Sequence, residues 1–187
     1  DFETAQKAWP DAYAYIKIPG ASNMAIREGN FLVQRPGDDD YYLYRDLDGK
    51  DNKAGTMYTQ ASFNKPDMSD PVTLIYGHNM KTGLMFAPLI KYKSQAFYDA
   101  HSYLYLYTPS QTYKVNLFAG METPHDSEVY SYSLSSSYLQ ECINSSTFRS
   151  GLGVPTGNIL TLSTCDYDYA NARYVLMGEL EPIDDPW

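Results

Sequence analysis

Cys165 and Arg173 stand at facing ends of two apolar runs, and that arrangement suits nucleophilic cysteine chemistry. Ile159, Leu160 and Leu162 lead up to the cysteine, and Tyr174, Val175, Leu176 and Met177 lead away from the arginine, so each side reads as a β-strand. The polar and aromatic stretch from Asp166 to Ala172 reads as the loop between them. A thiol at a strand end, with a guanidinium returning on the next strand, has a cation at hand to steady a thiolate or an oxyanion. Spacing alone leaves two readings of each residue. Arg173 either serves a reaction or pairs with Asp166 or Asp168. Cys165 is either a nucleophile or a core residue, since cysteine is among the most often buried side chains.

A third residue completes the chemistry. His78 follows the apolar run Val72-Thr73-Leu74-Ile75-Tyr76 and lies in Gly77-His78-Asn79, where a loop projects from the end of a rigid strand. His101 and His125 lie in polar connections and read as surface residues, His125 in the turn Thr123-Pro124-His125-Asp126. Thiol, imidazole and guanidinium together cover attack on a carbonyl, proton transfer to a leaving amine, and stabilisation of charge on oxygen.

The elements that must position this trio read as mainly β. Beyond the strands already named, runs at Tyr13 to Ile18, Phe31 to Gln34, Tyr41 to Tyr44, Gly55 to Tyr58, Tyr103 to Tyr107 and Tyr113 to Phe118 have strand character, the last two forming a hairpin. Residues Phe2 to Trp9 form a short helix that Pro10 stops, and a further helix runs from about Met85 to Ile90. Leu134, Tyr138, Leu139, Cys142 and Ile143 recur at helical spacing, which makes Cys142 a core residue of an amphipathic helix rather than a disulfide partner. About eight strands with few helices predict a closed antiparallel barrel or sandwich.

Size and charge narrow the classes. The chain has 187 residues, 43% of them hydrophobic, and reads as one domain, 1–187, with 1–12 as a helical lead-in. A net charge of −9, with 14 scattered basic residues, excludes nucleic acid as a partner, because phosphate binding needs a basic surface. Nineteen tyrosines suit strands whose rings keep a polar edge near water, and a carbohydrate- or peptide-binding face is compatible with them. No run reaches the roughly 20 apolar residues of a membrane span. Any membrane anchor or export signal is expected upstream of Asp1.

Thr161-Leu162-Ser163-Thr164-Cys165 with Arg173, together with Tyr76-Gly77-His78-Asn79-Met80, resembles the active-site signature of the sortases, cysteine transpeptidases of Gram-positive bacterial surfaces. Tyr15-Ile16-Lys17-Ile18-Pro19-Gly20, Asp40-Tyr41-Tyr42-Leu43, Ala54-Gly55-Thr56-Met57-Tyr58 and Met85-Phe86 through Tyr92 are similar in order and spacing to class B of that family, and the resemblance spans residues 11 to 181. It implies a closed eight-stranded β-barrel with an N-terminal helix and a helix in the connection before the cysteine strand, here Ser133 to Arg149. It further implies Cys165 as nucleophile, His78 as its proton partner and Arg173 as the oxyanion or substrate-positioning cation. Ser163, Thr164 and Asn79 are the expected substrate contacts, and neither cofactor nor metal is expected. The implied reaction cleaves the sorting signal of a secreted protein after threonine, holds the protein as a thioacyl-enzyme, and passes it to an amine of the peptidoglycan precursor. Some members instead join pilin subunits through a lysine. The implied location is the outer face of the cell membrane, reached through an N-terminal anchor beyond this chain.

The chain also departs from the family pattern. Tyr15 replaces the common tryptophan, and Ala25-Ile26-Arg27-Glu28-Gly29-Asn30 does not follow the usual continuation. Asp166 and Asp168, beside the nucleophile, disfavour a thiolate, so the resting cysteine is expected as a neutral thiol. Asp38-Asp39-Asp40 reads as a solvated turn rather than a cation site. Asp185-Pro186-Trp187 is similar to the lid tripeptide of class C but lies at the wrong end of the chain.

Overall fold

Alternation builds the barrel wall. In β4 (Tyr103–Tyr107) Leu104 and Leu106 are fully buried while Tyr103 and Tyr105 point outward half-buried, the period-2 signature of a strand with one wet face. The computed structural model describes residues 2–17, 30–77, 87–165 and 172–184, with Ala87, Pro88 and Cys165 by backbone alone. The other strands are β1 (Ala12–Lys17), β2 (Phe31–Val33), β3 (Val72–Gly77), β5 (Thr112–Pro124), β6 (Ile159–Cys165) and β7 (Ala172–Ile183); the helices are α1 (Phe2–Ala8), α2 (Gln95–Ala100) and α3 (Ser136–Asn144).

The strands form one sheet in the order β2-β1-β4-β5-β7-β6-β3, with every pairing antiparallel except β3 with β6. The two end strands are joined by residues 57–59. Val33 N donates to Met57 O (3.1 Å), Thr59 N to Val33 O (3.1 Å), and Tyr58 and Tyr76 exchange both backbone bonds at 3.0 and 2.9 Å. The Gly55 to Tyr58 run, read as a strand, is thus a short extended link that bridges the two end strands at Tyr58.

Two apolar layers result. Leu104, Leu106, Leu117, Leu160, Leu162, Tyr174 and Leu176 fill one, within the barrel. On the other face of β3, β6, β7 and β5, Val72, Leu74, Ile159, Val175 and Met177 pack with Leu139 and Cys142 of α3. Covering on both faces explains why β6 and β7 read as near-continuous apolar runs. Ser135 caps α3, its hydroxyl accepting from Tyr138 N, and burial pushes the Cys142 thiol up to about 11. Cys142 is a free, buried thiol, as its helical spacing predicts.

Asn64 does the work of a strand along β3. Its buried amide donates from Nδ2 to Val72 O (2.8 Å) and accepts at Oδ1 from Leu74 N (3.0 Å).

Two local expectations differ. Tyr41–Tyr44 is a 3-10 turn rather than a strand, and its first two rings are held from different directions: Arg35 and Arg45 lie 4.4 and 4.1 Å from the Tyr41 ring centre, and Tyr42 Oη donates to Asp11 (2.6 Å). The helix read at Met85 to Ile90 is, over its described part, a 3-10 stretch at Ala87–Lys93, followed by α2, which the sequence reading did not anticipate. Asp39 accepts from Ser62 N, and Asp40 from Tyr58 Oη and Gln60, so these two carboxylates fasten the 38–40 turn to residues 58–62.

Candidate active site

At one end of the barrel, β3, β6, β7 and β5 finish side by side. Gly77 stands in register with Thr164, Cys165 with Arg173, and Arg173 in turn with Thr123 of β5. A cleft of about 380 Å³ opens there, lined by Leu43, Tyr58, Tyr76, Gly77, His125, Tyr130, Ser163, Thr164 and Arg173. The strand pair predicted to bring the cysteine and arginine together does so at the backbone level. His78 and Asn79 lie outside the described residues; Gly77, immediately before them, is on the cleft wall.

Arg173 is half-buried, and its Nη1 donates to the neighbouring Ala172 carbonyl at 3.0 Å. Among the described residues it makes no ion pair; Asp166 and Asp168, the partners open to it on sequence grounds, lie outside them. It is therefore the permanent cation among the described lining residues, with donors of its planar fork left to meet a developing negative charge.

Ser163 and Thr164 part company. Ser163 shares a face with Val175 and Tyr76, is almost wholly buried, and its Oγ lies 2.6 Å from Tyr130 Oη. Thr164 alternates to the opposite face, with Leu160 and Leu162, and stands in register with the buried Tyr174. Its Oγ1 is buried and has no hydrogen-bond partner among the described residues. Ser163 thus offers a hydroxyl already tied to one neighbour, whereas Thr164 closes the cleft floor from behind.

Much of the remaining cleft lining is aromatic. Tyr76 packs against Tyr58 (ring centres 5.5 Å apart) and lies nearly parallel to Tyr130 (6.4 Å). Burial first, and the nearby Asp40 carboxylate second, raise the Tyr58 hydroxyl far above its ordinary range, and burial raises that of Tyr76. Both rings therefore stay neutral and present hydroxyls without charge. A carbonyl oxygen entering this cleft meets one cation, while an apolar or amide group meets rings and hydroxyls.

Sequence reasoning did not identify Leu43, Tyr58, Tyr130 or His125 as cleft residues. Leu43 and Tyr58 fall within segments that carry the family resemblance, yet nothing local tells that they turn toward the cysteine strand. Tyr130 and His125 sit in the polar connection after β5, and only the β5–β7 register brings that connection to the site.

A family model described as the Sortase domain matches residues 35–181. Sortase B of Listeria monocytogenes is 34% identical over 161 residues, covering 82% of this chain; the chain spans 65% of that protein's length. The fold is shared with sortase B of Clostridium perfringens, with a TM-score of 0.82 and 26% identity over 98% of this chain and 100% of that one. It is shared too with a class B sortase of Streptococcus pyogenes involved in pilus biogenesis, with a TM-score of 0.81 and 22% identity over 97% of this chain and 98% of that one. The family match over most of the described barrel, joined to likenesses that run to class B, leads to one conclusion: this chain belongs to the sortase family, in class B.

Proposed function

We propose that the chain is a cysteine transpeptidase of the Gram-positive cell envelope, which cleaves the sorting signal of a secreted protein after threonine and transfers the protein to an amine of the peptidoglycan precursor. The observation that carries this reading is the register of Cys165 opposite Arg173 at the mouth of the cleft. In the first half-reaction the Cys165 sulfur bonds to the threonine carbonyl carbon and its proton passes to His78. Arg173 meets the charge that gathers on the carbonyl oxygen. His78 then protonates the departing amine as the peptide C–N bond breaks, which leaves a thioacyl-enzyme. In the second half-reaction an amine nitrogen bonds to the same carbon, its surplus proton passes through the now neutral His78 to the Cys165 sulfur, and the C–S bond breaks, which restores the resting thiol. Ser163 and Asn79 hold the signal peptide, and Thr164, the third expected contact, supports the cleft floor beneath it. With a neutral resting thiol, proton loss accompanies attack rather than preceding it.

A pilin lysine is the second acceptor reading, favoured by the likeness to the streptococcal sortase of pilus biogenesis. A non-catalytic binding module is the competitor from another class, and it makes Cys165 dispensable. Mass spectrometry of the wild type and Cys165→Ala, after incubation with a mixed library of sorting-signal peptides, separates the classes. The expected result is a thioacyl adduct on wild-type Cys165 that a free amine resolves. No adduct across the library, or the same product from Cys165→Ala, overturns the proposal.

A further inference from the structure

We infer that Phe63, backed by Tyr132 and flanked by Asp39, selects a basic planar side chain, arginine above all, about four to six residues ahead of the scissile threonine. This rests on the transpeptidase reading. A lone exposed phenylalanine needs no explanation, but this one is mounted. Phe63 is 55% exposed, and Tyr132 stacks on one face of its ring at 4.9 Å and 9°, which leaves the other face to solvent. Phe63 N and Asn64 N both donate to Gln60 O at 3.0 Å, and Ser62 N donates to Asp39 Oδ1 at 3.0 Å. Tyr132 Oη donates to Gln60 Oε1 (3.1 Å), and Gln60 Nε2 donates to Asp40 Oδ1 (3.0 Å). Ring and backing are thus held to one frame.

The rings run on from the cleft. Tyr76 and Tyr130 line it nearly parallel to each other, and Tyr76 is in turn a neighbour of Tyr132, which carries Phe63. One tyrosine length and one 4.9 Å stack separate Phe63 from Tyr76. With the cleft itself, an extended peptide at about 3.3 Å per residue spans this in about four to six residues. The row leads back from the strand ends: Tyr130 meets Ser163 near the end of β6, whereas Leu134 lines a groove with Val72 and Ile159, the first residues of β3 and β6. His78, which meets the departing amine, follows β3 in the opposite direction. The rings therefore accompany the part of the signal that stays on the enzyme. The charge beside them is negative. Asp39 is half-exposed and Asp40 exposed, and the second oxygen of each accepts no hydrogen bond among the described residues. Lys65, two residues beyond Phe63, has Asp67 as its charged neighbour. A guanidinium lying flat on the open ring face gains cation–π attraction and meets these carboxylates, whereas a glutamate meets them as a like charge.

A competition on the full chain tests this. The mixed library of sorting-signal peptides is made in three forms, with arginine, alanine or glutamate at about the fourth to sixth places ahead of the threonine. The three are offered together to wild type, Phe63→Tyr and Phe63→Leu. Those places stay on the enzyme in the thioacyl adduct, so adduct masses report the choice directly. Wild type should favour arginine over alanine about five-fold and take glutamate least. Phe63→Tyr should keep that preference, and Phe63→Leu, which retains apolar bulk without an aromatic face, should lose most of it. Equal yields of the three forms from wild type, or an arginine preference undiminished in Phe63→Leu, overturn the inference and leave the transpeptidase reading standing. Absence of any wild-type adduct refutes that reading and this inference with it.

Discussion

Replacing Asn64 by alanine removes a side chain that stands in for a missing strand. Two backbone groups of β3, the Val72 carbonyl and the Leu74 N–H, take their partners from this one amide at 2.8 and 3.0 Å. The orientation of the amide is fixed, since only one choice of N and O satisfies both. Leaving a buried backbone group without a partner costs about 1–3 kcal/mol. Two such groups, partly relieved by water reaching the truncated site, give about 3 kcal/mol. For a chain of this size that corresponds to a fall in Tm of about 6–12 °C. The assay is thermal unfolding followed by circular dichroism, with hydrogen exchange of the Leu74 amide as the local readout. That amide should exchange about 100-fold faster, because the lost free energy weakens the segment it belongs to. Asn64→Asp keeps the acceptor for Leu74 N but sets a carboxylate against the Val72 carbonyl, so it should be no more stable than the alanine variant. A Tm within about 2 °C of wild type, with Leu74 still protected, would refute the idea that Asn64 carries this edge.

Two other outcomes are expected. Tyr130→Phe removes the hydroxyl 2.6 Å from Ser163 Oγ and should cost only about 1 kcal/mol of stability, while raising KM for the signal peptide more than it lowers kcat, because Ser163 loses its orienting partner; a fall in kcat at unchanged KM would contradict this. Cys142, whose thiol burial raises from the ordinary 9.0 to about 11, stays protonated where an unfolded chain's thiol ionises, so its contribution is whole below pH 9 and is lost as pH rises to about 11. Native Cys142 should resist a thiol reagent at neutral pH and react on unfolding, and a Tm that does not decline between pH 9 and 11 would count against the burial argument.

Parts of the site were legible because their signals are local. The apolar runs around Cys165 and Arg173 are legible as two neighbouring strands joined by a short connection, whereas the register that sets Cys165 opposite Arg173 comes from the structure. Leu139 and Cys142, three residues apart, face the core because a helix repeats every 3.6 residues, and a nine-residue helix is enough to show that period. The tyrosines at 41–44 misled for the opposite reason: their β propensity is overruled by contacts to side chains outside the run, Arg35 and Arg45 on its flanks and Asp11 some thirty residues away.

The sequence by itself determined the chemistry on offer: a thiol and a guanidinium at the ends of two neighbouring apolar runs, a mainly β frame, and a core helix ahead of the cysteine strand. Tertiary structure alone decided what surrounds that pair. β3 lies parallel to β6 although some eighty residues separate them, and the β5–β7 register carries Tyr130 and His125 to the cleft. Residues 57–59 close the sheet in place of a full strand, bringing Tyr58 against Tyr76. Such long-range pairings are selected by the burial of whole faces at once, a property of the assembled sheet that no local spacing records.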